Sequence, residues 1–309
     1  MKLLFMSGSD RIAAWRAVLA ELAPEIELVD ADAPHDPDEI EFALVWQYPP
    51  GALKRYRRLR LVSSLGAGID HLLRDPEFPA GVPFVRLVDP TLTRGMVEYA
   101  LWAVLRYHRQ MVEYASFQAQ ARWHPLPAPT ASERRVGVAG VGEIGGAVAR
   151  AIARLGFDVA GWSRRAKADL PFPVFAGAEG WKPFLARTDI LVCVLPLTDA
   201  TRGLLDAACF AALPPGTFVV NIARGGHLAA DDLLAALESG HLTHATLDVT
   251  DPEPLPATHP FWRHPKVTLT PHVASLTDPR TAAPQVVANI RNSLADKPLA
   301  NIVDRANGY

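Results

Sequence analysis

Cysteine is nearly absent from this chain, with only Cys193 and Cys209 among 309 residues. So few thiols exclude a disulfide framework, and Cys193 lies inside an apolar strand-like run, so both read as reduced thiols of a cytoplasmic protein. An excess of charge of either sign is also missing. The formal net charge of −2 removes the electrostatic reason to expect nucleic acid or an anionic membrane as a partner. The one dense basic run, Lys54 to Arg60, leads into the apolar Leu61-Val62 and reads as a solvated helix end. No apolar stretch reaches the roughly 18 residues that a membrane-spanning helix needs, and the opening Met1 to Asp10 turns polar too soon for a signal peptide. Metal motifs are lacking too: His241/His244 and His259/His264 have no cysteine partners and no H-E-x-x-H pattern, so no metal is expected.

What remains is a soluble α/β composition, 49% hydrophobic and 21% charged, in a chain long enough for two domains. Its strongest signal runs from Arg135 to Arg165: an apolar run, a glycine-rich turn, a helical pattern closed by Gly156, and a second apolar run. That is one β-α-β unit carrying a dinucleotide fingerprint. Gly140 allows the sharp turn off the strand, Gly142 leaves room for a pyrophosphate, and Gly145 lets the helix pack close to the strand. The helix that starts there, with Glu143 and Ile144 in its first turn, offers unpaired N–H groups and the positive end of its dipole.

The far end of this unit selects the dinucleotide. An NAD-binding unit places a carboxylate about 20 residues on, at the end of the second strand. Here Ser163, Arg164 and Arg165 stand there instead. A carboxylate would repel a 2′-phosphate, whereas a hydroxyl and two guanidiniums can bind it, so NADP(H) is expected. Two solvated arginines at a strand end are the plainer alternative.

Before this unit, Lys2 to Met6, Ile26 to Val29, Phe42 to Trp46 and Leu61 to Ser64 are short apolar runs, with a helix expected over Asp10 to Leu22. Strands alternating with helices imply a small doubly wound parallel-sheet domain. Its informative turn is Ser64 to Asp70, where Gly66, Ala67 and Gly68 at a strand end present backbone N–H groups suited to a small carboxylate. Thr93 to Gln120 reads as one long helix, apolar over most of its circumference and therefore buried on more than one side, which suggests a subunit interface. Arg122 to Pro129 follows as a proline-stiffened arm with Trp123 at its root, an anchor for an intersubunit pocket.

Beyond the fingerprint, Asp189 to Leu195, Thr217 to Ile222, His244 to Val249 and Lys266 to Thr270 are strand-like. With the two fingerprint strands they make the six of a dinucleotide-binding sheet. A helix over Asp231 to Leu237, capped by an aspartate, and a closing helix from Asp278 complete the pattern. Pro284 falls about a turn inside the closing helix and should kink it.

Four polar residues follow the last strands: Arg224 in N-I-A-R-G-G, Asp248 in L-D-V, Glu253 in D-P-E-P, and His272 in T-P-H-V-A-S. Strand ends on one side of a sheet converge on one crevice. Hydride transfer to a carbonyl beside a carboxylate needs such a set. A guanidinium holds the carboxylate bidentately, a protonated imidazole supplies the proton to the developing alkoxide, and a carboxylate keeps that imidazole charged and oriented.

These segments, from Asn221 to Ser275 and Gly140 to Gly145, resemble the D-isomer-specific 2-hydroxyacid dehydrogenase family, and the likeness runs over the whole chain. Leu44 to Trp46, Leu65 to Gly68, Trp123 to Pro127 and the ending Asp304 to Tyr309 are similar to its bacterial, NADPH-specific branch acting on glyoxylate and hydroxypyruvate. The resemblance implies a Rossmann dinucleotide-binding domain, residues 98–277, inserted in a smaller flavodoxin-like substrate domain, residues 1–97 plus 278–309. It implies His272 as acid/base, Glu253 as its partner and Arg224 as substrate anchor. Ala67 and Gly68 would bind the substrate carboxylate, with Trp46 and Trp123 near the substrate. Asp248 would orient the nicotinamide amide, and Leu195, Pro196 and Ile222 join the cofactor-binding set. It further implies a homodimer built through the helix and arm of residues 93–130. Two departures stand out: Glu143 replaces a common arginine, removing a cation near the pyrophosphate, and Thr93 to Glu98 lacks the usual S-V-A-E.

The expectation is therefore an NADPH-dependent reductase of small 2-oxo acids. An NAD-linked dehydrogenase working oxidatively, and a non-catalytic dinucleotide-sensing protein of the same fold, are the alternatives. A formate dehydrogenase is disfavoured, because Glu253 stands where that relative carries glutamine.

Overall fold

The structure is a computed structural model and describes residues 1–8, 11–73 and 75–304. The expected helix start at Asp10 and the ending from Arg305 to Tyr309 lie outside the described residues. The chain forms two compact units, Met1–Leu92 with Leu276–Tyr309, and Thr93–Ser275.

The first unit contains β1 (Lys2–Ser7), α1 (Ile12–Leu22), β2 (Glu27–Asp30), β3 (Ile40–Trp46), β4 (Leu61–Ser64), α2 (Asp70–Leu73) and β5 (Phe84–Val85). All strands pair parallel in the order β2-β1-β3-β4-β5, the flavodoxin-like order. Successive strand residues face opposite sides. Leu3 and Phe5 therefore pack with Trp15, Leu19, Val286 and Ile290, while Leu4 packs with Val45, Tyr56 and Val62 on the other face. Burial of both faces explains why these strands read as unbroken apolar runs.

The basic run from Lys54 is a solvated helix end only in its first two residues, Lys54 and Arg55. A short 3-10 turn covers Ala52–Arg55, after which Tyr56 and Leu59 point inward and are buried, leaving the cations between them outside. The chain's last helix, Pro279–Leu294, starts on Asp278, whose carboxylate accepts from the Arg280 N–H at 3.0 Å. The helix runs through Pro284. Pro284 and Arg280 both lie on its exposed side, so the carbonyl that loses its partner faces water, while Ala283, Val286 and Val287 keep the inner stripe buried.

The second unit contains α3 (Pro90–His108, from Thr93 on), α4 (Met111–Ala119), β6 (Arg135–Ala139), α5 (Glu143–Arg154), β7 (Asp158–Ser163), β8 (Val174–Ala176), α6 (Gly177–Ala186), β9 (Ile190–Cys193), α7 (Ala207–Ala212), β10 (Thr217–Asn221), α8 (Ala230–Glu238), β11 (Leu242–Leu247) and β12 (Val267–Leu269). Its parallel sheet runs β12-β11-β10-β9-β6-β7-β8. The chain reverses direction across the sheet between β6 and β9, the place where open α/β sheets bind ligands. The sheet has seven strands rather than the expected six; the additional β8 is a three-residue edge strand hidden in a proline-rich stretch.

Two helices replace the single one expected over Thr93 to Gln120. The break is at Gln110, which adopts a left-handed φ of 56°. The helix expected at Asp231 begins one residue earlier, and Ala229 at its start gives no side-chain cap. Asp231 instead sits in the first turn, where its charge suits the helix dipole, and Asp232 accepts from the Ala207 N–H at 2.9 Å. Among the described residues, no helix is long and apolar enough to cross a membrane.

Candidate active site

The glycine-rich turn leaves the end of β6 and enters α5. Gly140 has φ +96°, and a Cβ there would meet the Val194 carbonyl oxygen at 2.8 Å. A Cβ on Gly145 would strike the Gly140 carbonyl oxygen, so helix and turn can meet only without one. Gly142 differs, because nothing lies within 4 Å of a Cβ placed there. No protein atom demands glycine at Gly142; the space it leaves beside the α5 N-terminus fits a pyrophosphate. Glu143 is exposed in the first turn of α5, and Ile144 is half-buried behind it.

Leu195 and Ile222 are buried at the ends of β9 and β10. Pro196 is exposed, and its carbonyl accepts from the Thr201 hydroxyl at 2.7 Å. The residues around the turn therefore fit a dinucleotide. At the end of β7 the Ser163 hydroxyl donates to the Arg165 carbonyl at 2.6 Å. The serine thus closes the turn that carries Arg164 and Arg165, both solvent-exposed.

Arg224 stands on the loop after β10. Buried Asn221 shapes that loop by donating through Nδ2 to the Arg224 carbonyl at 3.0 Å and accepting from the Ala223 N–H at 3.1 Å. The Arg224 Nη1 donates to the Ala223 carbonyl at 2.7 Å. A Cβ on Gly225 would run into the Thr250 carbonyl group, so that glycine lets the arginine loop lie directly against the segment bearing Glu253.

Glu253 accepts from the Thr250 N–H at 3.0 Å and from His272 Nδ1 at 2.9 Å, with 28% of its side chain and 30% of the histidine's exposed. Partial burial opposes its charge. The hydrogen bonds from His272 and Thr250, with the charges of His272 and Arg224, outweigh that and hold the carboxyl below its ordinary range. A carboxylate only accepts, so the proton on this edge of the imidazole is on Nδ1.

His272 has a left-handed backbone, φ 55°, an uncommon conformation for a residue with a Cβ. Its N–H donates to the Asp248 carbonyl at 2.8 Å. Asp248 is 1% exposed, and both its carboxylate oxygens are engaged. One accepts from the Thr270 hydroxyl at 2.6 Å and the Val273 N–H at 2.9 Å; the other accepts from the Ala274 N–H at 2.8 Å. Asp248, expected to serve a cofactor amide, thus holds the loop on both sides of His272. Sequence reasoning missed Thr250, Thr270 and Asn221 in these supporting roles; only their adjacency to the motif residues could have signalled them.

In the first unit, a Cβ on Gly66 would lie 2.7 Å from the Trp46 ring, so the indole rests on the Leu65 to Gly68 turn. The carbonyls of Leu65, Gly66 and Gly68 accept from Thr277, Leu87 and Ser64. The N–H groups of Ala67 and Gly68 take no partner among the described residues.

On α3 and α4, Trp102, Leu105 and Met111 are exposed, and Trp123 is 100% exposed. The arm after Trp123 folds back along α4, with the Leu126 N–H donating to the Tyr114 hydroxyl at 2.9 Å and Gln110 Nε2 to the Pro127 carbonyl at 2.6 Å.

Residues 101–274 match the family model described as D-isomer specific 2-hydroxyacid dehydrogenase, NAD binding domain. The chain is 42% identical to a glyoxylate/hydroxypyruvate reductase A of Serratia proteamaculans over 314 aligned positions, covering 100% of both. Among solved structures it is similar to a D-isomer specific 2-hydroxyacid dehydrogenase from Xanthobacter autotrophicus Py2 in complex with NADPH and MES, with TM-score 0.95 and 44% identity over 100% of this chain and 99% of that one. It is also similar to an NADPH-dependent glyoxylate/hydroxypyruvate reductase from Sinorhizobium meliloti in complex with NADP and sulfate, with TM-score 0.93 and 36% identity over 100% of this chain and 99% of that one.

Proposed function

The chain belongs to the D-isomer-specific 2-hydroxyacid dehydrogenase family, and on that premise we propose that it reduces small 2-oxo acids, glyoxylate and hydroxypyruvate first, to 2-hydroxy acids with NADPH. The observation that carries the reading is the His272 Nδ1–Glu253 pair at 2.9 Å beside the Arg224 loop, on the sheet that also bears the nucleotide turn.

In this reading Gly140, Gly142 and Gly145 make room for the pyrophosphate at the start of α5, where Glu143 and Ile144 contribute backbone N–H groups and no favourable side-chain charge; Ser163, Arg164 and Arg165 take the 2′-phosphate, Leu195, Pro196 and Ile222 join the cofactor-binding set, and Asp248 orients the nicotinamide amide. When bound, NADPH supplies the hydride received by the substrate's carbonyl carbon. Arg224 holds the substrate carboxylate and polarises the adjacent carbonyl. With Nδ1 committed to Glu253, His272 delivers its proton from Nε2 to the carbonyl oxygen, giving the alcohol. Glu253 stabilises the imidazolium before that transfer and fixes the ring plane. In the first unit, the N–H groups of Ala67 and Gly68 are assigned to carboxylate binding. Trp46, packed on Gly66, limits substrate size, and Trp123 reaches toward the partner's site in the homodimer.

The exposed Trp102, Leu105, Met111 and Trp123 support a homodimer through residues 93–130. The two cysteines, buried and free, have thiols pushed up by burial, Cys193 to about 12, which suits a reducing, cytoplasmic setting. A substrate panel with NADPH tests the activity. Glyoxylate and hydroxypyruvate should turn over faster than branched or aromatic 2-oxo acids, and the reverse order would sink the reading.

A further inference from the structure

His272 belongs to a short loop that leaves the edge strand β12. That strand is only three residues long and, among the described residues, pairs only with β11. A short edge strand is a poor foundation for a group that must be placed within a fraction of an ångström. The structure supplies a second foundation from α3.

Tyr99 and Arg106 are seven positions apart on α3 and so share a face, while Thr268 and Thr270 are two apart along the extended chain and share another. The two faces meet in register. The Tyr99 hydroxyl lies 2.5 Å from Thr270 Oγ1, and Arg106 Nη1 donates to Thr268 Oγ1 at 2.5 Å. One residue further along the helix, the Tyr107 hydroxyl lies 2.5 Å from Thr246 Oγ1 on β11. The Tyr99 ring is braced edge-on by Trp102 at 5.1 Å.

The direction of the first chain follows by elimination. The Asp248 carboxylate only accepts, so the Thr270 proton goes to it at 2.6 Å. The Tyr99 hydroxyl must then donate to Thr270. Asp248 also accepts from the Val273 and Ala274 N–H groups, the two residues after His272. The chain Tyr99 to Thr270 to Asp248 therefore pins the loop before and after the histidine and holds its left-handed φ of 55°.

We propose that Tyr99 and Thr270 are positioning residues for the proton donor, acting through Asp248 on the His272–Ala274 loop. The proposal rests on the reading of His272 as the acid. Neither residue needs to touch substrate or cofactor: Thr270 orients the carboxylate that holds the loop, and Tyr99 fixes the threonine rotamer.

The test is steady-state kinetics of NADPH oxidation by glyoxylate, with amide hydrogen exchange, on Thr270→Val, Thr270→Ser, Tyr99→Phe and His272→Ala of the full chain. Thr270→Val should lower kcat by about 10- to 100-fold, the scale of a misplaced reacting group. It should change the KM for NADPH far less than kcat and speed exchange at the Val273 and Ala274 amides. Thr270→Ser, which keeps the hydroxyl, should restore both, and Tyr99→Phe should give a smaller loss of the same kind. Wild-type kcat and wild-type exchange in both Thr270→Val and Tyr99→Phe would overturn the proposal. So would a loss in Thr270→Val that Thr270→Ser fails to restore. If Thr270→Val does not fold, Tyr99→Phe, which removes a single oxygen, decides. Full activity in His272→Ala would remove the acid role itself, whereas an inactive His272→Ala beside unaffected Thr270→Val and Tyr99→Phe would overturn the positioning alone.

Discussion

Replacing both Arg164 and Arg165 with alanine should convert a strong preference for NADPH into a weak one. Both side chains are solvent-exposed and follow β7 directly, on a turn closed by the 2.6 Å bond from Ser163 to the Arg165 carbonyl. A charge-assisted hydrogen bond contributes about 1.5–3 kcal/mol. Exposure and salt screening put each of these at the low end. Losing one from each arginine removes roughly 3 kcal/mol of 2′-phosphate recognition, about a hundredfold at 1.4 kcal/mol per decade. NADH lacks that phosphate, so its kcat/KM should be unchanged. The assay is kcat/KM for NADPH and NADH at fixed glyoxylate, repeated at two salt concentrations, with the NADPH advantage shrinking in the wild type as salt rises. Equal losses with both cofactors would mean that the arginines support the turn rather than the phosphate. No loss with either would refute the assignment.

Arg224→Lys keeps the charge but loses the planar fork, so the KM for glyoxylate should rise about 10-fold or more, read from initial rates, with NADPH affinity unchanged. Glu253 is held below the ordinary carboxylate range, so it stays ionised above that lowered value and loses its contribution only as pH falls through it. Glu253→Gln, which keeps the shape and loses the charge, should therefore lower kcat throughout the range above about pH 4.3, the usual glutamate value; a wild-type kcat in the variant contradicts the pairing. His244 is buried, and burial, helped by the charge of Arg106, lowers its pKa to about 4. The unfolded chain binds this proton from about pH 6.5 down and the folded chain does not, so stability is complete above 6.5 and declines toward pH 4, by roughly 3 kcal/mol in all. Thermal melts across that window should show a shallower pH dependence in His244→Gln than in the wild type.

The parallel sheets and the fingerprint were legible because each rests on local pattern: apolar runs bounded by turns, and glycines whose Cβ would collide with neighbouring backbone, as at Gly140 and Gly145. Arg224, Glu253 and His272 were legible because each follows a strand of one sheet. The break at Gln110 was not, since a left-handed glutamine leaves no mark of the kind glycine or proline leaves. The edge strand β8 is too short and too flanked by prolines to show a period. Asp248 shows the deeper limit. Its motif position said that it mattered, but its bonds to Thr270, Val273 and Ala274 depend on how β12 ends beside β11, and Tyr99 joins that set from a helix far away in sequence.

The most direct test of the account is NADPH oxidation by glyoxylate in the wild type and in His272→Ala, with NADPH binding measured separately on both proteins. The predicted result is NADPH-dependent turnover in the wild type and a kcat lower by about 10²- to 10⁴-fold in the variant, with NADPH bound equally well by both. Undiminished turnover in His272→Ala, or NADPH binding by the wild type without turnover of any small 2-oxo acid, would contradict it.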